Sequence, residues 1–332
     1  MLLFCDGFDN YLLQTNLWDF AGTDCEIRLN TGEARTGIGC IRFNSAAFGP
    51  RRSLGHMTHL LGCVAWNSSG PGECMRFNTV VSGVTNGPCV KVAINADRSI
   101  SFFPQVGPPL GTTAIGIVAF NTYNSIAVEV ENFTTNTGII TCWVNGVQVF
   151  HASGLHTVGD PTVPFCNEWQ IMGPGGLPNC FADDVYLLDC TTAPNNAFLG
   201  ALRLYALPPT ANVSVSWIPL SGTNWSQVNE VPPDGDASYV SSGNVGDVDQ
   251  YSYPLTGPPV GSTLLFVQHE LDMQVDTGSR SVASDVGGVV SAGIALSNGY
   301  HIYPFPYDTN PATGVAFAAA DFPLAAGPKV TA

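Results

Sequence analysis

In the stretch Glu270-Leu271-Asp272-Met273-Gln274, two acids stand at alternate positions. Alternate side chains of an extended strand share one face. Glu270 and Asp272 would then project together, as general acid/base work on a glycosidic bond requires. A third acid two residues on would complete such a set. Gln274 holds that place here, and an amide cannot exchange a proton in that role. The plainer reading is a strand whose polar residues face solvent. The remaining candidate bases are His56, His59, His151, His156, His269 and His301. His56 and His59 fit one face of a helix, but no third metal ligand follows nearby in sequence. A Gly-x-Ser-x-Gly nucleophile turn and a phosphate-binding Gly-rich loop are both absent from the sequence. These residues lead to the expectation that the chain is not an enzyme.

Binding chemistry is better represented. Trp66, Trp169, Trp217 and Trp225 lie among turn-forming residues, where an exposed indole can stack on a sugar ring. Trp66, Trp169 and Trp225 are the candidate glycan contacts, whereas Trp143 reads as core. The competing reading is that a tryptophan of a β-sandwich is more often packed inside. Ten cysteines fall between Cys5 and Cys190, and none follows. The sequence has no C-x-x-C and no Cys/His cluster, which argues against zinc. The cysteines read as small buried apolar side chains rather than a disulfide network.

Composition sets the elements that must carry these residues. Charged residues make up 11% of the 332 and hydrophobic ones 45%; the usual charged share is about 25%. Such a chain can bury cores while covering its surface with Ser, Thr, Asn and Gly. The 36 Gly and 24 Pro are spread along the whole length, which signals many short strands joined by turns. The net charge of −15, from 11 basic and 26 acidic residues, leaves no basic stripe for a phosphate backbone. Nucleic-acid binding is therefore not expected. No apolar run reaches the roughly 20 residues of a membrane helix. The start, Met1-Leu2-Leu3-Phe4-Cys5-Asp6, has no basic region and meets an acid early, so no signal peptide is expected.

Period-two alternation recurs. In Ser125–Glu131 the apolar Ile126, Val128 and Val130 share a face opposite Glu129 and Glu131, which predicts a half-buried strand. Asn145-Gly146 between two β-rich runs predicts a hairpin, because a type I′ turn needs positive φ at both central residues. Further strands are expected at Cys25–Leu29, Gly39–Asn44, Gly62–Trp66, Cys74–Val81, Cys89–Asn95, Ser99–Phe103, Ala114–Phe120 and Asp184–Leu188. One more, at Phe198–Tyr205, would close a first domain of residues 1–207. A second domain, 208–332, shows strands near Val213–Ile218, Ala237–Ser241, Gln250–Tyr253, Thr263–Met273, Val286–Ala295 and Tyr300–Pro304. A short helix near Phe317–Phe322 then precedes a last strand. The expected fold class is all-β, with two β-sandwich domains.

The N-terminal part resembles the laminin-G-like, concanavalin A-like jelly rolls of phage structural proteins. The resemblance rests on Phe4-Cys5-Asp6-Gly7-Phe8-Asp9, on Tyr123–Glu131 leading into Trp143-Val144-Asn145-Gly146, and on Phe181-Ala182-Asp183-Asp184-Val185-Tyr186. The C-terminal part is similar to a module of phage virion proteins. There the marks are Pro233-Asp234-Gly235-Asp236, Asp249-Gln250-Tyr251 and Asp308-Thr309-Asn310-Pro311-Ala312-Thr313-Gly314. The resemblance implies a virion structural protein made in the host cytoplasm: a tail, baseplate or tail-fibre subunit with an adhesion role. Alternatives are a capsid decoration or head-fibre protein, or a module that binds host glycans. It further implies other virion proteins as partners, assembly as a homo-oligomer such as a trimer, and host surface glycan as ligand. Laminin-G-like domains often hold Ca²⁺, which takes about 6–8 oxygen ligands. Asp183 and Asp184 with Asp6 or Asp9 are the residues this implies. The alternative is that the paired aspartates form a turn.

Overall fold

A computed structural model of the chain describes residues 1–9, 17–19, 25–29, 32–44, 49–81, 84–175 and 180–332. It is all-β, and its contacts divide it into two units. The first holds Leu3–Phe8 and Trp18–Leu204, and the second holds Tyr205–Ala332. No helix among the described residues is long and apolar enough to cross a membrane.

The strands of the first unit begin with β1 (Leu2–Asp6), β2 (Cys25–Leu29), β3 (Gly39–Phe43), β4 (Arg51–Met57) and β5 (His59–Asn67). They continue as β6 (Gly72–Val81), β7 (Val84–Ile94), β8 (Ile100–Phe103), β9 (Gly111–Thr112) and β10 (Asn124–Glu131). The last four are β11 (Gly138–Val144), β12 (Val147–Leu155), β13 (Cys166–Ile171) and β14 (Cys180–Asp189). A large sheet runs β12–β11–β10–β5–β14–β3–β2, with β1 also on β14, and a facing sheet runs β4–β13–β6–β7–β8–β9. Neighbours along both paths are antiparallel. Together they form a β-sandwich of two antiparallel sheets.

Alternation decides which side chains meet between the sheets. Phe43, Trp66, Phe77, Phe102 and Trp169 are buried. Gly62 of the large sheet makes room for Trp169 of the facing sheet: a Cβ at Gly62 would fall 2.3 Å from the indole Nε1. The hairpin at Asn145-Gly146 has φ of 50° and 87°, as its sequence requires. Nine of the ten cysteines are buried and Cys25 is half-buried, which fits their reading as small core side chains.

Two expected strands do not form. Ala114–Phe120 is held as a loop on the neighbouring turn, with Gly116 N–H donating to Asp97 O and Val118 N–H to Arg98 O, both at 3.0 Å. Residues 198–205 pair with no strand either. The stretch from Phe198 to Leu204 instead straps the outer face of the large sheet. Phe198 stacks on Trp143 with centroids 4.7 Å apart, and Gly200 O accepts from the Tyr186 hydroxyl. Trp143, expected in the core, is thus half-buried under the strap.

The second unit contains β15 (Ala211–Ser214), β16 (Ile218–Pro219), β17 (Val240–Ser241), β18 (Gln250–Tyr253) and β19 (Val267–Met273). It continues with β20 (Ser281–Val286), β21 (Val289–Val290), β22 (Ile294–Ala295), β23 (His301–Tyr307) and β24 (Leu324–Val330). The main sheet runs β15–β18–β24–β20–β21, with β22 on β20. The two-stranded β19–β23 sheet packs on it through Val267, Leu271, Phe305 and Tyr307, against Val282, Val286, Leu324 and Ala326. This is the smaller sandwich. The expected helix is one 3₁₀ turn, Ala319–Asp321.

On β19, His269 points inward and Asp272 outward, and burial moves the two in opposite directions. His269 is 7% exposed and its Nδ1 lies 2.7 Å from Ser284 Oγ, while Nε2 has no partner among the described residues. Burial pushes its pKa down to about 4 from 6.5. A base depressed in the folded state adds stability above the unfolded value and loses it as pH falls toward the folded one. The loss is about 3 kcal/mol between pH 6.5 and 4. Burial raises Asp272 to about 6, so this acid gains stability over much of the same descent. Acid titrations followed by near-UV dichroism should therefore show opposite effects. Relative to the parent, H269Q is expected to gain stability as pH falls and so to unfold at lower pH, whereas D272N is expected to be the more stable at neutral pH and to lose that advantage as pH falls below about 6.

Candidate functional site

The strand Cys166-Asn167-Glu168-Trp169-Gln170-Ile171 alternates polar and apolar residues in its last four positions. Because Trp169 enters the core, Glu168 and Gln170 project from the outer face of the facing sheet. Strand register then extends the pattern sideways. Gln170 stands opposite Arg51 on β4 and Arg76 on β6, Arg76 opposite Lys91 on β7, and Lys91 opposite Phe103 on β8. Arg51, Gln170, Arg76, Lys91 and Phe103 thus form one row across five strands. At about 4.8 Å per strand spacing, the row is about 19 Å long. Glu168 lies beside it, opposite Ser53 and Asn78.

The floor of this face is buried and hydrogen-bonded, while the cations at its rim are half-buried. Glu168 Oε1 accepts from Asn78 Nδ2 at 2.9 Å, and Oε2 pairs with Arg51 Nε at 3.4 Å. Gln170 Nε2 donates to Gly49 O at 3.0 Å. Asn78 Oδ1 is buried and has no partner among the described residues. Arg76 pairs with Glu73 through both Nε and Nη2. Lys91 Nζ sits over the Phe103 ring, 5.9 Å from its centroid. Three of the chain's 11 basic residues therefore occupy one row. Glu168 and Glu73 pair with Arg51 and Arg76, so two of these three charges are already offset, in a chain of net −15.

The sequence candidates lie elsewhere. Trp66 and Trp169, read as glycan contacts, are 1% and 0% exposed and belong to the core. Sugar stacking at these two positions is corrected. The reason is physical: both indoles face the opposite sheet, and a glycine makes the space for one of them. Trp225 is half-buried in the 3₁₀ turn Asn224–Gln227 of the second unit.

Asp6, read as a Ca²⁺ ligand, accepts from the Trp18 indole and from Phe8 N–H, each at 2.7 Å, and Asp9 is buried too. Asp183 and Asp184 sit in a bulge of β14, where Asp184 has a φ of 46°. The bulge turns both carboxylates into one buried network. Asp183 accepts from the backbone N–H groups of Arg35, Thr36 and Asp184. Asp184 accepts from Arg35 Nη1 and Thr36 Oγ1 at 2.8 Å, and from Leu204 N–H at the end of the strap. Burial pushes both aspartates above the usual carboxylate range, and Arg35 opposes this at Asp184. Among the described residues, no three of Asp6, Asp9, Asp183 and Asp184 bring ligand oxygens within 4.8 Å of one another. Glu270 and Asp272 do share the outer side of β19, where Glu270 accepts from Gln268 at 2.7 Å.

No protein-family description and no curated protein matches the chain. Solved structures similar to parts of it include an endo-β-1,4-glucuronan lyase from the fungus Trichoderma reesei. That pair is 13% identical over 56% of this chain and 95% of the lyase, with a TM-score of 0.40. The alginate lyase Aly36B is 14% identical over 55% of this chain and 95% of its own, with a TM-score of 0.34. A mutant Trypanosoma rangeli sialidase displaying trans-sialidase activity is 11% identical over 54% of this chain, with a TM-score of 0.37. The match spans 30% of the sialidase.

The expectation that the chain is not an enzyme is corrected by these neighbours, which are glycan-active enzymes. That expectation rests on Glu270–Gln274, the histidines and the missing sequence motifs, and does not include the ionisable row on the facing sheet. At these TM-scores the likenesses assign no activity to this chain.

Proposed function

We propose that the chain recognises an acidic glycan through the outer face of its facing sheet. The observation that supports this is the row Arg51–Gln170–Arg76–Lys91 in a chain otherwise poor in positive charge. Guanidinium groups bind carboxylates through paired, charge-assisted hydrogen bonds, and amides complement sugar hydroxyls. Phe103 at the end of the row offers an apolar ring face. The setting we propose is the surface of a phage particle, in a tail, baseplate or tail-fibre subunit with an adhesion role. The support for that setting is the sequence resemblance.

Retention on immobilised polyuronate, compared with neutral dextran, tests the reading. Polyuronate should be retained and released by salt, as screening of charges requires. K91A and R76Q should each weaken retention by about 1.5–3 kcal/mol, the usual worth of a charged hydrogen bond. Equal retention on dextran, or unchanged retention of both variants, would sink the glycan reading. Locating the chain by electron microscopy of purified particles tests the setting.

A further inference from the structure

On the other outer face, that of the large sheet, three side chains far apart in sequence meet. β14, β5 and β10 are neighbours in that order. His59 opens β5, Glu129 lies on β10, and Cys190 follows the last residue of β14, its N–H donating to His59 O at 3.1 Å. Leu60 and Val130 face the core, so His59 and Glu129 face outward, on the side where the strap lies. His59 Nε2 is 2.7 Å from Glu129 Oε1. The Cys190 sulfur, the imidazole nitrogen and a Glu129 oxygen all lie within 4.8 Å of one another.

We infer that His59, Glu129 and Cys190 form a mononuclear site for a borderline divalent cation of the zinc type, with a water in the fourth position. Zinc takes sulfur at about 2.3 Å and nitrogen or oxygen at about 2.0–2.2 Å, so tetrahedral donors stand roughly 3.3–3.7 Å apart. The three atoms are held by adjacent strands at separations from 2.7 Å, His59 Nε2 to Glu129 Oε1, to at most 4.8 Å, a range that brackets that spacing. One nitrogen, one thiolate sulfur and one carboxylate oxygen suit zinc better than calcium, which takes oxygen alone. The side chains of His59 and Glu129 are 22% and 19% exposed, so the cation has a route from solvent, while Cys190 closes the inner side at 5%. Three protein ligands leave one coordination position open, the pattern of sites that present water to a substrate rather than of purely structural ones. Zinc was unexpected because the ligands are not clustered in the sequence; sheet order brings them together.

Cobalt provides the test, since four-coordinate Co²⁺ with a thiolate ligand absorbs in both the near ultraviolet and the visible. The full chain, stripped with a chelator and titrated with Co²⁺ alone, should bind one equivalent and show the thiolate-to-cobalt band. Zn²⁺ should then displace the cobalt and abolish the band. C190S should lose the near-ultraviolet band, whereas C25S, which alters the half-buried thiol outside the cluster, should keep it. H59Q and E129Q should weaken Co²⁺ binding by more than about tenfold, since losing even an outer partner of a metal ligand costs about 10–100-fold. Both retain Cys190, so they report even if C190S fails to fold. A cobalt complex without the thiolate band, or full affinity in folded H59Q and E129Q, would show an ordinary His–Glu ion pair beside a thiol. Polyuronate retention uses the opposite sheet and should be unaffected by these substitutions.

Discussion

Replacing Arg35 with methionine is expected to destabilise the N-terminal unit by about 3–5 kcal/mol at neutral pH, the range for breaking a buried ion pair from one side. The side chain of Asp184 is fully buried and that of Arg35 is 11% exposed. Without the guanidinium, the carboxylate keeps only Thr36 Oγ1 and Leu204 N–H as donors among the described residues. Leu202 O also loses its bond from Arg35 Nη1, which loosens the strap. The pH dependence separates lost charge pairing from lost packing. Burial already raises the folded pKa of Asp184, and removing Arg35 raises it further. For an acid raised in this way, stability is greatest below the unfolded pKa and falls as pH rises toward the folded one. Denaturant titrations should therefore show a smaller deficit for R35M at pH 5 than at pH 8. A partner change, D184N in the R35M background, should recover part of the loss. A deficit independent of pH would mean that the packing of the arginine stem dominates.

Trp169→Ala is expected to cost a similar amount, about 3–5 kcal/mol, as large-to-small changes of buried aromatics do. Its indole spans the gap between the sheets and lies against Gly62. The reciprocal change, G62A, drives a methyl group into the indole and should cost about 1–3 kcal/mol. The two sites touch, so their costs should not add: G62A in a W169L background should be nearly neutral. Had Trp169 been a sugar platform, W169A would lower glycan retention and leave unfolding unchanged. Chemical denaturation of the four proteins, read alongside polyuronate retention, distinguishes these outcomes. The buried Nε1 has no partner among the described residues, so W169F should cost less than its lost volume implies.

Local chemistry made part of the fold legible. Asn145-Gly146 announces its hairpin because few other pairs adopt positive φ twice in succession, and Cys25–Leu29 and Gln250–Tyr253 match their strands end to end. Alternation alone misled at Ala114–Phe120, where hydrogen bonds to the Asp97-Arg98 turn take the groups a ladder would use. The sites were much less legible. Arg51, Arg76, Lys91 and Gln170 come from four strands whose order in the sheet, β4–β13–β6–β7, is not their order in the chain. His59, Glu129 and Cys190 meet for the same reason. The tryptophans misled for another: an indole among turn residues looks exposed until its partner glycine, here Gly62, is known. The alternation of Glu168 and Gln170 around Trp169 was the one signal that pointed to the row.

The pairing of β1 with β14 bears on how this unit is made. The first strand leaves the ribosome long before its neighbour exists, by roughly ten to forty seconds at about 5–20 residues per second. Until then the large sheet lacks the strand that joins β5 to β3, and the unit must wait as an open form with unpaired edges. Seven thiols that end up buried, from Cys5 to Cys166, emerge before β14 and stay accessible to oxidants until it arrives. For this chain, the hazard from cysteine chemistry is concentrated in the period of its birth, and closure of β14 ends it.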